Sequence, residues 1–117
     1  MRLAGILGAT AVALGAFGAH GLKSLPHIVA DPSLLTTWET AARYHLVMAA
    51  VMAALAGRRV RWARRLLLSG LAVFSGSLYT LVLTEQRWLG AVTPLGGALM
   101  IAGFVSLAVR GERPEGT

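Results

Sequence analysis

The chain has 117 residues, enough for one domain; 56% are hydrophobic, only 14% are charged, and mean hydropathy is +0.65. A soluble domain carries about 25% charged residues, so this chain is short of polar surface and reads as an integral membrane protein. The absence of cysteine excludes disulfides and thiolate metal sites, and the net charge of +6 gathers at the ends of apolar segments, a topology signal rather than a face for nucleic acid.

Four apolar segments are expected to form an all-α, four-helix transmembrane bundle occupying the whole chain, with spans at about 3–20, 38–57, 66–84 and 94–109. Each is near the ~20 residues that cross a ~30 Å hydrocarbon core, and none alternates like a barrel strand. The first begins like a signal peptide, with Arg2, an apolar run and small residues near Gly18, and is expected to be retained as the first span. His20 and Gly21 suit its C-terminal end, where a cation meets the negative end of the dipole and glycine caps. Two small-residue rows at four-residue spacing, Gly5/Ala9/Ala13 and Ala11/Gly15/Ala19, predict close contact with two neighbouring helices.

For the second span, Thr36 and Glu39 fit a capping box. The loop after it holds Arg58, Arg59, Arg61, Arg64 and Arg65, five arginines in eight residues, which predicts a cytoplasmic loop. Both termini then lie inside with Arg2, Arg110 and Arg113, giving eight basic residues inside against Lys23, Arg43 and Arg87 outside. The arginine loop could also meet anionic headgroups. Thr93 and Pro94 fit the start of the fourth span, in which Gly96, Gly97 and Gly103 and the row Ala98/Ala102/Ser106 are further packing candidates. Trp38 and Trp88 are expected in the outer aromatic belt and Trp62 in the inner one.

Four segments, "GAFGAHGL" (15–22), "TAARYH" (40–45), "FSGSLY" (74–79) and "TPLGG" (93–97), carry a resemblance. Together they resemble the signature segments of domain-of-unknown-function family 423, small four-helix membrane proteins of bacteria with a eukaryotic relative called transmembrane protein 256. The resemblance covers nearly the whole chain. It implies a multi-pass protein of the bacterial inner membrane and no established activity. One position departs from the pattern: a second histidine is expected soon after His45, where this chain has Leu46, Val47 and Met48.

Ionisable groups inside spans are costly and are the first candidates for function. The candidate polar cluster is His20, Glu39, Arg43, Tyr44, His45, Ser75, Ser77 and Tyr79. Glu39 and Arg43 share a helix face, either as an ion pair with Arg43 reaching the outer headgroups or as part of a solute site. His45 lies about 200° around the helix from Arg43 and shares a stripe with Met48 and Met52, a packing stripe or a soft-metal ligand set. It is expected to face inward and to find a hydrogen-bond partner in Tyr79 or Ser75, with Ser77 nearly opposite on the third helix.

Two function classes follow. One is a structural or accessory membrane protein that associates with itself or with a larger complex; the other is an oligomeric transporter or binding protein for a small solute or ion, using the polar cluster in the outer half of the second and third helices. No nucleophile–base pair, metal-ligand set or phosphate loop points to an enzyme or to a cofactor, and the lipid bilayer is the one partner that composition itself implies.

Overall fold

The computed structural model describes residues 2–110; Arg113, counted above on the inner side, lies outside them, as does the side chain of Arg110. Five α-helices follow one another: α1 (Arg2–His20), α2 (Pro26–Ala30), α3 (Ser33–Ala54), α4 (Arg61–Thr84) and α5 (Thr93–Arg110). Short 3-10 turns at Leu22–Ser24 and Arg87–Ala91 complete the connections. Among the described residues three segments are long and apolar enough to cross a membrane: Arg2–Ser24, Arg61–Thr84 and Arg87–Val109. The other long helix, α3, carries Glu39, Arg43 and His45 in one half, which lowers its hydropathy.

The long helices pack in chain order, α1 on α3, α3 on α4 and α4 on α5, each antiparallel to the next. Buried positions on α3 include Leu34, Trp38, Ala41, His45, Met48 and Met52, a 4-3-4-3-4 spacing, with Ala49 beside Met48. On α1 they are Ala4, Ala11 and Gly18, seven apart. Both are the 3.5-residue seam of helices that cross at a shallow angle. This corrects the expectation drawn from four-residue rows. Gly5, Ala9 and Ala13 are all exposed, and a β-carbon on Gly5 or Gly15 would meet nothing within 4 Å. Four residues turn a helix by about 400°, so such a row winds off a straight seam, whereas a seven-residue repeat nearly holds it.

The closest approach is between α4 and α5. A β-carbon on Gly70 would lie 2.7 Å from the Gly96 carbonyl oxygen, and one on Gly96 would lie 2.7 Å from that of Gly70. About two turns further along α5, Gly103 receives Leu67, whose Cγ would be 2.7 Å from an added β-carbon. Small residues of this kind let helix backbones meet in lipid, where apolar burial alone gives no preference for protein over tails.

The helix ends also differ from expectation. The Thr36/Glu39 capping box does not form, because α3 begins one turn earlier: the Asp31 carboxylate accepts from the Ser33 amide (3.2 Å) and hydroxyl (2.5 Å). Thr36 is then helix interior, and its carbonyl accepts from the Thr40 hydroxyl. Helix α3 also stops at Ala54, before Gly57, which adopts the left-handed φ of 78° that favours glycine. Arg61, Arg64 and Arg65 belong to the first turns of α4 rather than to a loop, since arginine is a good helix former. Arg64 donates to the Leu55 carbonyl (2.7 Å), satisfying the open end of α3.

Residues 22–30, expected only as a connection, fold over the far end of the bundle. Leu22, Ile28, Leu34, Trp38, Leu81 and Val82 form one buried cluster there. His27 Nε2 donates to the Val82 carbonyl (2.9 Å), one of the last four of α4. Arg87 pairs with Asp31 at 2.8 Å. The Asp31 carboxyl is held below its ordinary value, first by the Ser33 hydroxyl and then by Arg87. A second cluster, Ala4, Met48, Met52, Leu67, Leu71 and Met100, fills the half of the bundle beside the arginines.

Candidate functional site

The seam of α3 places His45 where it faces α1 and α4 at once. Its Nε2 lies 3.1 Å from the Thr10 hydroxyl on α1, and its Nδ1 lies 3.1 Å from the Tyr79 hydroxyl on α4. The Thr10 hydroxyl has a single proton, directed to the carbonyls of Ile6 (2.9 Å) and Leu7 (3.0 Å) one turn back. Its lone pair therefore receives the Nε2–H of a neutral imidazole. Nδ1 is then bare and accepts from Tyr79. The chain of bonds runs Tyr79 to His45 to Thr10 to the α1 backbone and joins three helices.

Ser75, one turn from Tyr79, donates to the Ala41 carbonyl (2.9 Å) and ties α4 to α3 again. Trp38 donates from Nε1 to the Leu14 carbonyl (2.8 Å) and is 2% exposed. Its ring meets Phe17 edge-on at 5.7 Å and Tyr79 at 4.6 Å. It fits because Gly18 leaves the slot: an added β-carbon would lie 2.7 Å from the indole nitrogen. Trp38 is therefore a core residue, not a belt residue. Trp88 and Trp62, at 65% and 51% exposure, are the tryptophans at the surface.

Helices α1 and α4 stand apart on the same side of α3. The gap is an open cleft of about 490 Å³ lined by Leu3, Leu7 and Leu14 of α1 and by Leu68, Leu71, Ala72, Ser75, Gly76 and Tyr79 of α4, with His45 at its floor. Its surface is almost wholly hydrocarbon, because the polar groups at the floor are bonded to one another. No buried side-chain nitrogen or oxygen among the described residues lacks a partner.

Of the eight candidate residues, the structure gathers His45, Ser75 and Tyr79. Ser77 faces the opposite seam, where it bonds Thr93 (2.6 Å) and the Phe74 carbonyl. Tyr44 is exposed along one side and packs its ring 4.5 Å from Phe74. His20, Glu39 and Arg43 are exposed and outside the network, and among the described residues Glu39 and Arg43 form no ion pair. Met48 and Met52 belong to the apolar cluster around Leu67 and Leu71, and both imidazole nitrogens of His45 are already engaged. Among the described residues no three His, Cys, Asp or Glu side chains converge on a point.

Sequence reasoning missed Thr10 and the roles of Trp38 and His27. Thr10 had a signal: it is the only hydroxyl side chain in α1. His27 had none, since nothing in a five-residue helix says that it will dock on a carbonyl 55 positions away.

The model of a family described as "Protein of unknown function (DUF423)" matches residues 14–97. A UPF0382 membrane protein of Staphylococcus haemolyticus is 41% identical over 93% of this chain and 94% of its own length. UPF0382 membrane proteins of Bacillus subtilis and Schizosaccharomyces pombe are 40% and 37% identical, covering 93% and 92% of this chain and 95% and 97% of their own. No solved structure matches the chain.

Proposed function

This chain belongs to the DUF423 family of membrane proteins, and from that premise we propose that it is a non-catalytic accessory protein that acts by lateral contact within the bilayer. The observation that carries this reading is the α1–α4 cleft, which opens sideways and whose polar floor is bonded internally. A solute site needs free donors or acceptors and a wet path; a lateral docking surface needs an apolar recess.

We further propose four spans with both termini cytoplasmic. Helix α3 is 22 residues long, against 19 for α1, and packs antiparallel between α1 and α4, so tertiary contacts can carry it across despite its charges. The arginines of 58–65 sit at the same end of the bundle as Arg2. Relatives in Staphylococcus and Bacillus support a bacterial cytoplasmic membrane as the setting. Self-association, or association with a partner complex, would use the exposed faces of α1 and α5.

The second reading is transport of a proton or small solute. It is favoured by the continuous Tyr79–His45–Thr10 chain, since such relays mark ion paths in membranes. Labelling separates the two readings. The protein has no cysteine, so Ala72→Cys, Gly76→Cys and Lys23→Cys each introduce one thiol. A membrane-impermeant maleimide applied to sealed vesicles is expected to modify the Lys23 variant and neither cleft variant. Equal modification of all three would mean a hydrated cleft and would replace the lateral reading with the transport one.

A further inference from the structure

The cleft does not end blindly at α1. Leu3, at its inner end, also lines a polar recess of about 370 Å³ whose other walls include Met52, Gly57, Arg58 and Arg64. The apolar groove and a recess walled by Arg58 and Arg64 thus lie on either side of Leu3, at the arginine-rich end of the bundle. Arg64 spends both Nη2 protons on the carbonyls of Leu55 and Arg58. Its Nε and Nη1 protons have no partner among the described residues, nor does any carboxylate there pair with it. The groove from Leu3 to Leu14 is about 17 Å long at 1.5 Å per residue, a little more than one leaflet of a ~30 Å core.

We infer that this joint surface is a site for one anionic phospholipid of the leaflet beside the arginines, with its phosphate in the Arg64 recess and one acyl chain in the α1–α4 cleft. The charge of the recess selects the headgroup. The saturated polar floor explains the choice of a hydrocarbon chain over a polar ligand: Thr10, His45 and Tyr79 satisfy one another and leave the groove apolar. The inference rests on the lateral reading of the cleft and names what enters it.

The test uses the full chain in detergent, with phosphatidylglycerol and phosphatidylcholine of identical chains as probes and native mass spectrometry as the readout. One phosphatidylglycerol per chain should be retained, and phosphatidylcholine about fivefold less. Arg64→Gln should remove that preference, the fivefold equivalent of the ~1 kcal/mol a basic residue contributes against anionic lipid. Arg65→Gln, at a side chain lying over Trp62 and outside the recess, should retain lipid like the parent.

Gly76→Leu puts a side chain into the groove from a position where an added β-carbon would meet nothing within 4 Å, and should lower retention about tenfold or more while melting like the parent without lipid. Because Arg64 also closes the end of α3, Gly76→Leu is the deciding variant. Unchanged phosphatidylglycerol retention in Gly76→Leu, or equal retention of the two lipids by the parent, overturns the inference. If Gly76→Leu instead dissociates a dimer with retention unchanged, the cleft holds a second copy: the inference fails and the lateral reading stands. A cleft labelled by the impermeant maleimide overturns both.

Discussion

The two sides of α4 meet their neighbours in opposite ways. Toward α5 the contact is backbone to backbone: Gly70 and Gly96 face each other, Leu67 fills the place of the missing side chain at Gly103, and the Ser77–Thr93 hydrogen bond closes the end away from the arginines. Toward α1 there is a gap, bridged by the Tyr79–His45–Thr10 bonds and otherwise lined with leucine, alanine and glycine. Both helices α1 and α5 are glycine-rich, so glycine content does not distinguish them. The difference is register. Glycines on the 3.5-residue seam admit a neighbour, whether backbone as at Gly70 and Gly96 or side chain as at Gly18 and Gly103, and glycines off it merely thin the lipid-facing surface.

The largest expected effect breaks the tight side. Gly96→Leu would drive a β-carbon onto the Phe74 backbone and the Gly70 carbonyl, so α5 should separate from α4 and the variant should fail to give a cooperative melt. Gly15→Leu, off the seam with open space around it, should melt within about 0.5 kcal/mol of the parent. Thermal unfolding of the two in one detergent is the measurement, and equal loss in both would remove the register argument.

An intermediate effect is expected where the gap is bridged. His45→Ala leaves the Tyr79 hydroxyl without its acceptor and Thr10 without its donor, a cost of about 1–3 kcal/mol. Tyr79→Phe removes one of those bonds and should cost nearer the ~0.6 kcal/mol of an average interhelical bond in membranes. Arg43→Ala, at an exposed side chain outside the network, should melt like the parent. If Arg43→Ala were the most damaging of the three, α3 would have its working face on the other side.

The smallest effect belongs to the cap over the far end. Asp31 has its pKa lowered by the Ser33 hydroxyl and Arg87. A depressed folded-state value means that the stabilisation is present above the ordinary carboxylate range and is lost as pH falls through the folded-state value. Melting temperatures of the parent and Asp31→Asn should therefore converge on acidification below about pH 4, with the parent slightly the more stable at neutral pH. A constant difference across that range would show that the pair contributes nothing through its charge.

Much of this was legible in the sequence. Composition called for a membrane protein of helices, four quoted segments carried the family, and the position of His45 on α3 indicated an inward-facing imidazole with Tyr79 or Ser75 in reach. Thr10 is not legible there, because a threonine that bonds back to its own helix leaves no mark on hydropathy. Tryptophan favours the interface in general, so the sequence points Trp38 there, while the slot that buries it is made by Gly18 of another helix. The capping box at Thr36 lost to Asp31, whose carboxylate turns the chain one turn sooner.

That the chain is helical and belongs in a bilayer was determined by the sequence alone, because both are properties of single windows of about twenty residues, summed without reference to any other part of the chain. Which glycines are buried, which face of α1 is left open and where the cleft lies were decided only by tertiary structure. These depend on how closely side chains of two helices approach, and the open space between α1 and α4 has no counterpart in either helix by itself.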